Sequence, residues 1–196
     1  MSVELEDVPA AWPVHSSRDL HRDAWVVGVR EDEISRPGHP DERFHRISVE
    51  HPGAVVVLAV DDAERVFLLR QYRHTSGHRF VELPAGLRDT AGEPAVETAK
   101  RELREEAELS ASEWTHLLST YPSAGILDEV QEIFLARGLQ AASRGDFALH
   151  AEEAEMEAFW APFDDLLEAV LAGRVRQGPL VQAVLAYEVL RHRGRL

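Results

Sequence analysis

The chain has 196 residues, enough for one domain with a sizeable core, and carries 35 acidic against 21 basic side chains for a net charge of −14. That balance argues against an electrostatic footprint for polymeric nucleic acid, yet admits a small phosphorylated ligand screened by a metal and by local arginines. With no cysteine there is no disulfide framework, thiolate zinc site or cysteine nucleophile, and an acidic start without any apolar run near the ~20 residues of a membrane span predicts a soluble, cytoplasmic chain.

Residues 1–20 carry Pro9 and Pro13, which predicts an extended arm or a short edge strand. Trp25 to Arg30 and Phe44 to Glu50 read as two strands around a turn-rich Glu31 to Asp41 segment holding Pro37, Gly38 and Pro40. Ala54 to Val60 and Val66 to Tyr72 are unbroken apolar runs joined by a turn at Asp61 to Glu64, and they predict a buried hairpin. Arg70 and Arg73 close the second run. Their bidentate donors suit a diphosphate, and a surface charge at a strand end is the plainer reading. His74 and His78 have the spacing of a metal pair, but Ser76 and Gly77 place them in a loop.

From Leu83 to Leu109 the chain reads LPAGLRDTAGEPAVETAKRELREEAEL, which predicts a strand end, a tight turn at Pro84 and Gly86, a loop through Gly92 and a helix opening near Pro94. Val96, Ala99, Leu103 and Ala107 form one apolar stripe. Glu102, Glu105 and Glu106 share another face, where three carboxylates repel unless something positive sits among them. A hard divalent cation, Mg²⁺ or Mn²⁺, would resolve that repulsion; so would a solvated face with Arg101 and Arg104 as partners.

The same run resembles the Nudix box, usually written Gx5Ex7REUxEExGU with U an aliphatic residue. Gly86, Glu93, Arg101, Glu102, Leu103, Glu105, Glu106 and Leu109 carry the resemblance. Two positions depart from it: six residues rather than five separate Gly86 from Glu93, and Glu108 stands where the box has its second glycine. The resemblance implies a Nudix fold, an α/β/α sandwich with a mixed sheet between the box helix and the C-terminal helices. It implies metal ligation by Glu102, Glu106 and the Ala85 carbonyl, with Glu105 as a further ligand or water-positioning group. The stretch LLRQYRHTSGHRFVELPAG before the box is similar to that of the ADP-ribose pyrophosphatases, which raises Arg73, then Arg70, as ligand contacts. Glu82 is ligand-facing or supports a neighbour, with a structural role equally open. In that subgroup similar N-terminal strands build a homodimer, so residues 1–50 are expected to serve dimerisation and residues 51–196 to form the hydrolase domain.

After the box, Trp114 to Thr120 and Val130 to Arg137 read as strands. Between them, Gly125, Asp128 and Glu129 match a run of the same subgroup while Ala124 and Leu127 depart from it; Asp128 and Glu129 either contact the ribose end of a substrate or cap the next strand. Gly138 to His150 reads as a loop with a short helix. The acidic loop beyond it is where the family keeps a mobile glutamate that activates water, which implicates Glu153, then Glu152, with Glu155 a further candidate. Phe163 to Ala172 and Pro179 to Arg191 read as amphipathic helices whose Leu166, Leu167, Val170, Leu171, Val184, Leu185 and Leu190 face inward.

The expected activity is metal-dependent hydrolysis of the diphosphate of ADP-ribose, or a related nucleoside diphosphate sugar, to AMP and ribose 5-phosphate. Two alternatives stand beside it: a Nudix hydrolase of another nucleoside diphosphate compound, such as GDP-mannose or a dinucleotide, and a weakly catalytic Nudix-fold ligand-binding protein. The intact carboxylate cluster weighs against the last.

Overall fold

The computed structural model describes residues 5–24, 26–145, 147–148 and 155–196. Two compact units emerge, Met1–His51 with Gly125–Asp128, and Pro52–Ala124 with Glu129–Leu196. Among the described residues no helix is long and apolar enough to cross a membrane.

In the first unit, β1 (Val14–His21), β2 (Gly28–Ser35) and β3 (Arg43–Glu50) form an antiparallel sheet in that order. β2 runs on through Glu31 to Ser35, where the sequence predicts a turn. Its acidic residues find partners across the strands: Arg18 with Glu31 at 2.8 Å, Ser17 with Asp32 at 2.6 Å and Arg43 with Glu33 at 3.0 Å. Such cross-strand pairs stabilise a strand that lacks apolar alternation. The turn is confined to residues 36–42, and Trp25, where the strand was expected to begin, lies outside the described residues. Val49 N donates to Ile126 O at 2.7 Å and His51 N to Asp128 Oδ1 at 2.7 Å, so the Asp128 carboxylate caps backbone.

The second unit holds β4 (Ala54–Ala59), β5 (Arg65–Arg73), β6 (His78–Glu82), β7 (Ala85–Leu87), α1 (Ala95–Ala107), β8 (Leu109–Thr120), β9 (Gln131–Ala141), β10 (Glu157–Pro162), α2 (Phe163–Leu171) and α3 (Gly178–His192). Four strands make a mixed sheet in the order β7-β4-β9-β8, with β4 and β9 parallel and the other pairs antiparallel. β4 alternates between the two faces. Val55 and Val57 pack with Phe134, Ala136 and the α1 residues Ala99 and Leu103. Val56 and Leu58 pack with Ile133, Leu135, Phe163, Leu166, Leu180, Val184 and Tyr187 on the side of α2 and α3. Each fully buried valine, leucine, isoleucine or phenylalanine among them contributes about 1.5–3 kcal/mol. The result is an α/β/α sandwich, and burial on both faces explains why β4 reads as one continuous apolar run.

The expected hairpin does not form. β4 and β5 share one bridge, Val60 with Val66, and then separate; β5 lies between β10 and β6 in a second sheet. Apolar runs buried on both faces carry no face preference that would pair them with each other; β5 turns instead to β6, which follows it, and to the distant β10. The tight Pro84/Gly86 turn is likewise replaced by an extended β7 on the open edge of β4. Among the described residues of 138–150 there is no helix, because β9 continues to Ala141. Leu171 and Leu185, expected inward, are 64% and 39% exposed. The buried stripe of α3 is Leu180, Ala183, Val184 and Tyr187, a period-3.6 set that a nearly all-round apolar helix conceals.

Glu64, in the turn between β4 and β5, ties that turn to β9 and α3: Arg137 Nη2 donates to its Oε1 at 2.5 Å and Tyr187 Oη to its Oε2 at 2.7 Å. Burial alone would raise the Glu64 pKa, but the Arg137 and Tyr187 hydrogen bonds outweigh it and hold the carboxyl below its ordinary value of about 4.5. A depressed folded-state pKa means that the stabilisation is complete above the unfolded value and is lost as pH falls through the folded one. Urea midpoints for wild type and Glu64→Gln should therefore differ at pH 7 and converge as the pH falls through the depressed folded-state value; a gap that persists in acid would show that the pair does not set this dependence.

Candidate active site

The box helix positions its carboxylates through β7. Val57 N donates to Pro84 O at 2.9 Å and Arg88 N to Gly53 O at 3.0 Å. In that register the amides and carbonyls of Ala85 and Leu87 point away from β4, toward the open edge. Glu106 Oε2 accepts from the Ala85 amide at 2.9 Å on this edge, so the Ala85 carbonyl shares the side of Glu106. Arg101 Nη2 reaches the Leu87 carbonyl at 3.5 Å. Gly86, between them, faces Glu102: a methyl group built on Gly86 would overlap the Glu102 carboxyl carbon and both oxygens. A side chain at position 86 would therefore push the Glu102 carboxyl out of its place against β7.

Arg101 is the cation among the glutamates. Its Nη1 lies 2.6 Å from Glu102 Oε1 and 3.0 Å from Glu105 Oε2, and its Nη2 3.9 Å from Glu93 Oε2. Burial would lower its pKa, but Glu102, Glu105 and Glu93 outweigh that and raise it, so the guanidinium stays charged. Glu93 in turn accepts from Thr98 Oγ1 at 2.8 Å, tying the loop before α1 to its first turn. A cleft of about 190 Å³ opens here, lined by Ala85, Gly86, Leu87, Asp89, Arg101, Glu102, Glu105 and Phe147.

Among the described residues no three His, Asp or Glu side chains converge on a single point that could hold a metal ion. The donors present are nonetheless all hard oxygens, those of Glu102, Glu105, Glu106 and the Ala85 edge, and their chemistry fits a divalent cation.

The remaining candidate residues lie apart from this lining. Arg73 grips Glu82 with two bonds, at 3.0 and 2.6 Å, and Glu82 is only 2% exposed, so Arg73 serves as its counter-charge. Arg70 reaches Glu157 at 3.4 Å and stacks over Phe159. Glu129 is buried and accepts from Gln131 Nε2 at 3.0 Å. By strand alternation Gln131 shares the face of Ile133 and Leu135, under α3 rather than α1. Glu152 and Glu153 lie outside the described residues; Glu155 is largely exposed, with its Oε2 3.7 Å from Arg79. The sequence reading missed Asp89 and Phe147 as lining residues, and only the box spacing hinted at Glu93.

Residues 50–184 match the NUDIX domain. The chain belongs to the Nudix family. It is 42% identical over 171 residues, 87% of this chain and 80% of the other, to the ADP-ribose pyrophosphatase of Mycobacterium tuberculosis. It is 31% identical over 83% of its length, and 75% of the other, to the CMP-5'-(N-acetyl-N-hydroxy-3-aminopropyl)phosphonate hydrolase of Streptomyces rubellomurinus. A crystal structure of an ADP compounds hydrolase superposes with a TM-score of 0.75 at 21% identity, covering 97% of this chain and all of that one, which supports the fold. This Nudix hydrolase thus belongs to a family whose members generally need divalent metal ions, and its α1 carboxylates are those of the Nudix box.

Proposed function

We propose that the protein hydrolyses the diphosphate of ADP-ribose, or a close nucleoside diphosphate sugar, to AMP and ribose 5-phosphate, with Mg²⁺ (or Mn²⁺) held by Glu102, Glu105, Glu106 and the Ala85 carbonyl. The carrying observation is the three-glutamate face of α1 set against the Ala85–Leu87 edge, in a chain 42% identical to an ADP-ribose pyrophosphatase. The bound cation supplies charge neutralisation of the diphosphate and a water of lowered pKa. Arg101 keeps its own charge and holds Glu102 and Glu105 in place. Glu153 or Glu152 takes the proton of the attacking water as the new P–O bond forms and the bridging P–O bond breaks; Glu105 orients that water. Arg73 and Arg70 bind the substrate anion, with Glu82 holding Arg73 in place.

AMP released from ADP-ribose in the presence of Mg²⁺ and abolished by EDTA is the expected result; no product under either condition would overturn the substrate. A second reading, another nucleoside diphosphate compound, is favoured by Ala124 and Leu127 and by the 28% identity to a GDP-mannose pyrophosphatase of Escherichia coli. GDP-mannose in the same assay separates the two. The reading also includes a homodimer built through residues 1–50, supported by the exposed Leu5, Val8, Val14, Leu20 and Ile47, and sedimentation at the monomer mass would refute it.

A further inference from the structure

The box helix ends on the residue that departs from the motif, and that residue's contacts lead back to the cleft. Glu108 adopts the left-handed conformation, φ 53° and ψ 38°, which glycine takes without crowding. Both polar ends of Glu108 hold the segment that follows β9. Its carbonyl accepts from Ala142 N at 2.8 Å, and its carboxylate lies 3.3 Å from Arg144 Nη2. The Arg144 side chain is 26% exposed, with its Nε buried, so the guanidinium lies against the protein instead of extending into solvent. Beyond it, Ser143 Oγ accepts from Gly145 N at 3.1 Å and Arg144 O from Phe147 N at 3.3 Å, a turn that delivers the Phe147 ring to the lining of the carboxylate cleft.

We propose that Glu108 and Arg144 are positioning residues for this enzyme: their ion pair fixes the post-β9 segment so that Phe147 forms an apolar wall of the cleft and contacts a ring face of the substrate. The substrate half of this rests on the proposed hydrolysis of a nucleoside diphosphate sugar. Phe147 is the aromatic member of a lining otherwise made of backbone, aliphatic and charged groups, and an aromatic face stacks on a base or covers a sugar. A glycine at position 108 would keep the left-handed turn and the carbonyl bond to Ala142 but would forfeit the carboxylate that holds Arg144. The choice of glutamate is thereby explained despite its backbone strain.

The test uses the full chain in three variants. Glu108→Gly should melt no lower than wild type, because it relieves the left-handed strain, yet raise KM about three- to ten-fold, the scale of one lost ring contact, with kcat little changed. Arg144→Glu should do the same to KM, and the exchanged pair Glu108→Arg with Arg144→Glu should restore it. Phe147→Leu should weaken product inhibition by AMP if the ring meets the base, or by ribose 5-phosphate if it meets the sugar; unchanged inhibition by both overturns the substrate contact. Hydrogen exchange of the Ala142 and Phe147 amides in the free protein reads the latch without any substrate. Faster exchange in Glu108→Gly and Arg144→Glu, reversed in the exchanged pair, supports it, and identical exchange in all forms overturns it. A wild-type protein that turns over no ADP-ribose would sink the substrate reading, while the exchange result still decides the latch.

Discussion

Glu106→Gln is expected to lower kcat/KM for ADP-ribose by about 10²–10³-fold, the scale of losing one preorganised charge-stabilising group. The fold should survive the change. Glutamine keeps an oxygen that can accept from the Ala85 amide, the 2.9 Å bond that pins β7 to α1, so stability should move by no more than about 0.5 kcal/mol. What is lost is the negative charge beside the Ala85 carbonyl, and with it a proposed ligand for the cation. The concentration of Mg²⁺ giving half-maximal rate should therefore rise together with the fall in rate. Thermal melts and a metal titration on the same preparation check both halves. Activity within a factor of about three of wild type would remove Glu106 from the metal-holding set.

Local pattern made the box helix legible. Val96, Ala99, Leu103 and Ala107 repeat at helical spacing, and the structure buries Ala99 and Leu103 completely, with Val96 and Ala107 packed beside them. The same periodicity turned Glu102, Glu105 and Glu106 to another face before any contact was known. Strand pairing was less accessible. β4 and the Val66–Leu69 half of β5 are apolar on both faces, so neither shows which face or which neighbour it wants: β4 pairs with the distant β9, and β5 with the adjacent β6 on one side and the distant β10 on the other. The second half of β2 failed to announce itself for the opposite reason. Its Glu31-Asp32-Glu33 run looks like solvated turn until Arg18, Ser17 and Arg43 are placed across from it by the pairing itself.

In the site, residue types were readable and relative placement was not. The sequence offered Arg101 as a partner for box glutamates, and it does bridge Glu102 and Glu105. Nothing in the sequence shows that β7 aims its Ala85 amide at Glu106, because that depends on the β4–β7 register. Nor does it show that Arg73 and Glu82, nine residues apart, meet across the β5–β6 pair. Glu108 is a sharper case. It stands where the box has its second glycine, yet the left-handed turn forms with glutamate in it, and Arg144, far along the chain, takes up the carboxylate.

Gly86→Ala should cost about as much activity as removing a glutamate, although it adds only a methyl group. Gly86 needs no unusual φ; its constraint is space, since a Cβ there would sit on the Glu102 carboxylate. A carboxylate is the far end of a flexible side chain, so it can rotate aside at a stability cost of about 1–2 kcal/mol instead of unfolding the protein. Once moved, Glu102 loses its 2.6 Å contact with Arg101 and its station at the Ala85–Leu87 edge, and kcat/KM should fall about 10²-fold through the same electrostatic loss argued for Glu106. The double variant with Glu102→Ala discriminates this mechanism from a general disturbance of β7. If Gly86→Ala acts through Glu102, adding it to Glu102→Ala changes activity little, because the group it displaces is already gone. Additive losses would mean that the methyl group damages the Ala85 and Leu87 edge itself, and the assignment of Gly86 as the space reserved for the Glu102 carboxylate would then fall.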